Sequence, residues 1–118
     1  MVIDLDGLKE VNDTLGHQAG DELIELAASV IRDTIRDGDI AARLGGDEFG
    51  IIASNVVPAD CDALVSRILT AFHDAGVSGS IGHAPYNVVA GFPGAFAGAD
   101  EAMYAEKQRR RAARWAAR

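Results

Sequence analysis

Two pairs of acidic side chains stand where they could do chemistry together. Asp4 and Asp6 end a short apolar run at the start of the chain. Asp47 and Glu48 follow Gly45 and Gly46, between two runs rich in strand formers. Strands over residues 1–4, 40–44 and 49–53 would place residues 45–48 at a four-residue hairpin tip. If that hairpin pairs beside the first strand, all four carboxylates converge on one edge. Carboxylates that close raise one another's pKa and destabilise the fold unless a cation sits among them. Hard oxygen ligands favour Mg²⁺, which uses one or two carboxylates and completes its shell with water and phosphate. Taken singly, each pair reads first as a turn or a helix cap, so the chemistry depends on the convergence.

Other signatures fall short. Gly16-His17-Gln18-Ala19-Gly20-Asp21 lacks the Gly-Lys ending of a phosphate-binding P-loop. Asp4-Leu5-Asp6-Gly7 opens like a calcium loop, but Leu8 and Lys9 fill the next ligand positions and the glycine comes too early. His17, His73 and His83 share no metal-ligand spacing. The single cysteine, Cys61, excludes an internal disulfide framework and a cysteine-based zinc site. Set between Asp60 and Asp62, it reads as a helix-start residue.

The elements that must position the acids follow from periodicity. Residues 7–15 suit a short helix stopped by Gly16. From Asp21 to about Arg36, Ile24, Ala27, Ala28, Ile31 and Ile35 fall on one helical face. Pro58 and Asp60 open a second long helix, with Leu64, Val65, Ile68, Leu69 and Phe72 inward and Gly76 closing it. Residues 77–84 read as a strand. Residues 85–98, with Pro85, Pro93, Gly91, Gly94 and Gly98, read as a loop. Residues 99–114 read as a final helix, amphipathic through Met103 and basic towards its end, as the helix dipole prefers. The predicted order is β-α-α-β-β-α-β-α, an α/β domain with an antiparallel sheet and helices around it.

With 118 residues, 48% hydrophobic and 25% charged, the chain has the composition of one globular domain. No apolar run approaches the about 20 residues of a membrane-spanning helix. Two acids among the first six residues argue against a secretory signal, so a reduced, cytoplasmic setting is expected. The net charge of −7 hides a split. Seventeen acids face five bases over residues 1–105 (net −12), and one acid faces six bases over 106–118 (net +5). So acidic a body repels a nucleic-acid backbone, and nucleic acid is not the expected partner.

Arg43-Leu44-Gly45-Gly46-Asp47-Glu48-Phe49 contains an intact Gly-Gly-Asp-Glu-Phe signature. Around it stand Asp4-Leu5-Asp6-Gly7-Leu8-Lys9, Val11-Asn12-Asp13-Thr14-Leu15-Gly16-His17, Gly20-Asp21, Ser80-Ile81-Gly82 and Ala99-Asp100-Glu101-Ala102-Met103-Tyr104. Together these resemble the GGDEF family of bacterial diguanylate cyclases, in the expected order over almost the whole chain. The resemblance implies a palm-like sheet similar to nucleotidyl cyclases and polymerases. It also implies an enzyme of second-messenger signalling that condenses two GTP into cyclic di-GMP and releases pyrophosphate. It implies that Asp4, the Leu5 carbonyl, Asp47 and Glu48 hold Mg²⁺ (Mn²⁺ being possible), with Asp47 and Glu48 catalytic. Lys9, Lys107 and Arg111 match phosphate-contacting positions, and Asn12 and Asp21 match the guanine-reading pair. Gly45 and Gly46 let the hairpin backbone approach the triphosphate. Because each subunit presents one GTP, the resemblance implies a homodimer for catalysis.

Arg36-Asp37-Gly38-Asp39 matches, in composition and in its distance from Gly45, the family's product-inhibition site, with Arg67 as a second contributor. Leu8 stands where the family usually has Phe, and Arg110 and Ala112 replace the Gly and Asn that flank the terminal Arg. The expected domain is residues 1–111, followed by a basic helical tail over 112–118. The family's leading helix and final strand are not among these residues, so one sheet face is expected to lose cover. That leaves a second reading, a truncated and inactive domain that binds GTP or cyclic di-GMP.

Overall fold

Alternation of apolar residues to two sides of a sheet explains the architecture. A computed structural model describes residues 1–117. Its elements are β1 (Val2–Leu5), α1 (Leu8–Leu15), α2 (His17–Thr34), β2 (Ile40–Gly45), β3 (Glu48–Ile52), α3 (Pro58–Ala75), β4 (Gly79–Gly82) and α4 (Gly91–Ala116). This is the predicted order. The strands form one sheet, β2-β3-β1-β4, antiparallel throughout. Arg118 of the predicted basic tail lies outside the described residues.

Ile3 and Leu5 of β1, Phe49 and Ile51 of β3 and Ile81 point to one side of the sheet. There they meet Ala27 and Ile31 of α2 and Leu64, Ile68 and Phe72 of α3. Each large side chain buried in this layer stabilises the fold by about 1.5–3 kcal/mol. Val2 points to the other side and packs with Ala99 and Met103 of α4. Asp4 shares that face by the two-residue period of a strand. α4 lies so close to β4 that a Cβ on Gly82 would fall 2.1 Å from the Met103 backbone nitrogen.

Several boundaries differ from the sequence expectation, and of the strand expected over 77–84 only Gly79–Gly82 forms β4. α2 starts at His17 rather than Asp21, because Gly16 (φ 92°) turns the chain from α1 into α2 in one residue. The hairpin turn is the two residues Gly46 and Asp47, because Gly45 and Glu48 already belong to strands. Most of the segment expected as a loop over 85–98 is helix: α4 begins at Gly91. Pro93 falls in its first turn, where backbone N–H groups lack intrahelical acceptors and a proline is tolerated. The Asn87 side chain steadies the approach by accepting the Ala90 N–H at 2.8 Å. Pro58, with Asp60 accepting the Val57 N–H, and Gly76 (φ 77°) bound α3 as expected.

On the α4 side, β2 and the outer part of β3 are open. Ile40, Leu44 and Ile52 are exposed, and with Tyr86, Phe92 and Phe96 they line an apolar groove of about 540 Å³. No helix among the described residues is long and apolar enough to cross a membrane.

Candidate active site

The register of the sheet sets the acids. Asp4 of β1 lies opposite Glu48 of β3. The Leu5 N–H donates to the Asp47 carbonyl at 2.8 Å, tying the hairpin turn to the end of β1. The Arg43 Nε and Nη2 both donate to the Gly46 carbonyl, at 3.1 and 2.9 Å, and hold the turn from its other side. The Asp47 carboxyl is raised above its ordinary value, first by burial and then by the neighbouring Asp4 carboxylate; Lys107 works against this. Glu48 is also raised, by burial and then by Asp100, Asp4 and Asp47.

The convergence therefore comprises Asp4, Asp47 and Glu48, joined by Asp100 of α4. Asp6 is not part of it. Its Oδ2 accepts from the Ser78 hydroxyl at 2.8 Å and lies 3.3 Å from Arg110 Nη1. Among the described residues, no three His, Cys, Asp or Glu side chains form a ready-made metal cage. A cation here would take its remaining ligands from water and phosphate, as Mg²⁺ does. The donor set fits that role. Asp4 Oδ1 is buried with no hydrogen-bond partner among the described residues, beside a carboxyl whose pKa is raised.

α4 brings cations to the same face. Lys107 Nζ lies 2.5 Å from Asp4 Oδ2 and 3.9 Å from Asp6 Oδ1. Arg110, one helical turn on, is the arginine that reaches the sheet, while Arg111 is exposed and engages neither Asp4 nor Asp6. Lys9 is exposed in the first turn of α1. Gly45 and Gly46 both face open space, and Gly45 has an ordinary φ, so the fold itself does not need a glycine there.

At the corner between α1 and α2, Asn12 leans on Gly20, the residue before Asp21. A Cβ on Gly20 would fall 1.8 Å from the Asn12 side-chain oxygen. The corner thus seats Asn12 against the residue next to Asp21, the other residue expected to read a base. Three contributors were missed as site residues by sequence reasoning: Gly20, Asp100 and Arg110. The first two lie in motifs already singled out, Gly20-Asp21 and the block 99–104. Arg110 carried no signal beyond its departure from the family pattern.

Residues 1–113 match the family model for the diguanylate cyclase GGDEF domain. The chain belongs to the GGDEF family. It is 37% identical over 112 residues to diguanylate cyclase DgcS of Shewanella oneidensis, covering 91% of this chain and 38% of that protein. It is 34% identical over 118 residues to diguanylate cyclase A of Treponema denticola, covering 92% of this chain and 32% of that one. Among solved structures, the GGDEF domain of DgcB from Caulobacter crescentus in complex with c-di-GMP superposes with a TM-score of 0.85 at 30% identity, covering 91% of this chain and 70% of that one.

In this GGDEF domain the segment from Arg36 to Asp39 is a turn locked to the end of β3. The Asp39 side chain is only 1% exposed. Its Oδ2 accepts the Arg36 N–H at 3.0 Å and its Oδ1 the Ser54 N–H at 3.2 Å. The Arg36 guanidinium is 42% exposed and donates to the Ser54 carbonyl at 3.2 Å. Arg67 of α3 donates to the Thr34 carbonyl at 3.4 Å, on the approach to the same turn. The structure thus gathers Arg36, Asp39 and Arg67. The Asp39 carboxylate, besides accepting these two backbone N–H groups, lies 3.6 Å from the Arg36 guanidinium.

Proposed function

We propose that this GGDEF domain is a diguanylate cyclase that joins two GTP into cyclic di-GMP, with release of two pyrophosphates. The reading rests on one observation above the others. Asp4 and Asp47 are brought together at the glycine-bearing turn, with an unpartnered oxygen on Asp4 and a raised pKa on Asp47.

The 3′-hydroxyl of one GTP attacks the α-phosphorus of the other, forming the new P–O bond as the bond to pyrophosphate breaks. Repetition in the opposite sense closes the ring. Asp4, the Leu5 carbonyl, Asp47 and Glu48 would hold Mg²⁺ or Mn²⁺, which supplies charge stabilisation at the phosphate oxygens. The chain's residues supply placement. Gly45 and Gly46 leave room for the triphosphate against the turn. Lys107, with Lys9 and Arg111, offers positive charge to it. Asn12 and Asp21 present an amide and a carboxylate to the guanine edge, so a base that leaves them unpaired is rejected. Since one domain holds one GTP, two copies must meet face to face, and the setting is cytoplasmic, where GTP is present.

The turn at Arg36 is the proposed product-inhibition site. Exposed guanidinium groups of Arg36 and Arg67 can grip phosphate and stack on guanine, while the Asp39 carboxylate, which also holds the turn in shape, accepts from the base.

Purified protein incubated with GTP and Mg²⁺ should yield cyclic di-GMP by mass, and Asp47→Asn should yield none. A parent protein that binds GTP and Mn²⁺ but forms no product would instead support the binding-module reading.

A further inference from the structure

Arg110 is a node of contacts that the metal-and-nucleotide reading does not use. Its Nη1 donates to the Gly79 carbonyl and to the Ser80 hydroxyl, the latter at 3.2 Å, and its Nη2 donates to the Ser78 hydroxyl at 3.2 Å. The same guanidinium pairs with Asp6 Oδ2 at 3.3 Å. Asp6 is 11% exposed, and its other oxygen, Oδ1, is buried without a hydrogen bond. That oxygen lies 3.9 Å from Lys107 Nζ, which meanwhile sits 2.5 Å from Asp4. Lys107 and Arg110 are three residues apart on one helix and so share a face. Two acids two residues apart, at and just beyond the end of β1, thus face two bases three apart on α4, with Lys107 nearer Asp4 and Arg110 at Asp6.

Resting on the cyclase reading, we propose that Arg110 is a positioning residue that neutralises Asp6. It thereby keeps Asp6 out of the cation site and Lys107 at Asp4, where the lysine can meet the triphosphate. An ammonium between two carboxylates divides itself according to their charge. With Arg110 in place, Asp6 is already compensated and Lys107 belongs to Asp4. Without Arg110, the uncompensated Asp6 draws Lys107 towards it, which frees Asp4 and adds a negative charge near the cation. Cation binding then strengthens while the lysine loses its place for phosphate. The two effects have opposite signs. Loss of helix docking alone would weaken both.

The test is Mn²⁺ binding to the nucleotide-free protein, read by electron paramagnetic resonance, beside KM for GTP. Arg110→Ala should tighten Mn²⁺ binding about threefold, the scale of a partly exposed ion pair, and raise KM for GTP. Arg110→Lys should restore both towards the parent. Arg114→Ala, which removes the same charge from the same helix further on, should change neither. If Arg110 acts through Asp6, Arg110→Ala in an Asp6→Asn background should leave Mn²⁺ affinity unchanged. Weaker or unchanged Mn²⁺ binding in Arg110→Ala overturns the proposal. So does an equal gain from Arg114→Ala, or a gain that survives Asp6→Asn. Asp47→Asn keeps the two readings apart. If it does not weaken Mn²⁺ binding, the cation site itself is wrongly placed; if it does and Arg110→Ala has no effect, only the role of Arg110 fails.

Discussion

Replacing Asp39 with alanine tests whether the turn at Arg36 is held by its own carboxylate. The side chain is 1% exposed and accepts two backbone N–H groups, from Arg36 at 3.0 Å and Ser54 at 3.2 Å. Hydrogen bonds to a charged acceptor contribute about 1.5–3 kcal/mol each, and a donor left unpaired costs about 1–3 kcal/mol. Both N–H groups lie near the surface, where water can replace part of the loss, so the low end applies: about 1 kcal/mol each, or about 2 kcal/mol together. For a domain of this size that is a fall in Tm of about 8 °C. Asp39→Asn keeps one acceptor oxygen and should lose about half as much. Arg36→Ala removes a half-exposed side chain and should cost less than about 1 kcal/mol, while weakening cyclic di-GMP binding by calorimetry. The comparison is thermal melting of the three variants beside the parent. An Asp39→Ala protein that melts within about 2 °C of the parent would show that the two bonds contribute nothing.

Asp47→Asn should abolish synthesis yet raise the Tm of the cation-free protein, since it removes a carboxylate held in an unfavourable place by burial and Asp4; a lower Tm would contradict this. The sign of the pH dependence follows from the same groups. Asp47 and Glu48 have folded pKa values above their unfolded ones, so their contribution is full below the unfolded value and is lost as pH rises through the folded one. Cation-free stability should therefore fall as pH rises out of the acid range, and Mg²⁺ should remove that fall by binding only the folded state; melting curves with and without Mg²⁺ read both. Gly20→Ala should displace the Asn12 amide and reduce the preference for GTP over ATP, measured by competition. Gly82→Ala forces α4 off β4, and overpacking of that kind costs about 1–3 kcal/mol; a melt showing no loss would mean that the helix is not seated as closely as described.

The strand and hairpin that carry the acids were legible because their signals are local. Alternation fixed the faces of β1 and β3, and the glycine pair marked the turn. The order of elements followed from punctuation by Gly16, Pro58 and Gly76. The start of α4 was not legible, because Gly91 and Pro93 carry loop signals in any sequence, and only first-turn geometry makes them compatible with helix. Partner choice was also hidden. By residue type and spacing Asp6 looked equivalent to Asp4, and only the family resemblance set Asp4 apart. In the structure Asp6 separates from Asp4 through Ser78 and Arg110, which lie 72 and 104 residues away along the chain. The burial of Asp39 likewise depends on Ser54, fifteen residues on, which no local pattern reports.

In the proposed reaction, the acids at the end of β1 and the hairpin tip act on two nucleotides held by two copies of the domain. Cyclic di-GMP formation from GTP and Mg²⁺, followed by mass over a range of protein concentrations, tests it most directly. Product should form at a rate per unit of protein that rises with protein concentration at the dilute end, and Asp47→Asn should form none at any concentration. Product formation unaffected by Asp47→Asn, or no cyclic di-GMP at any concentration of the parent, would contradict the proposed reaction.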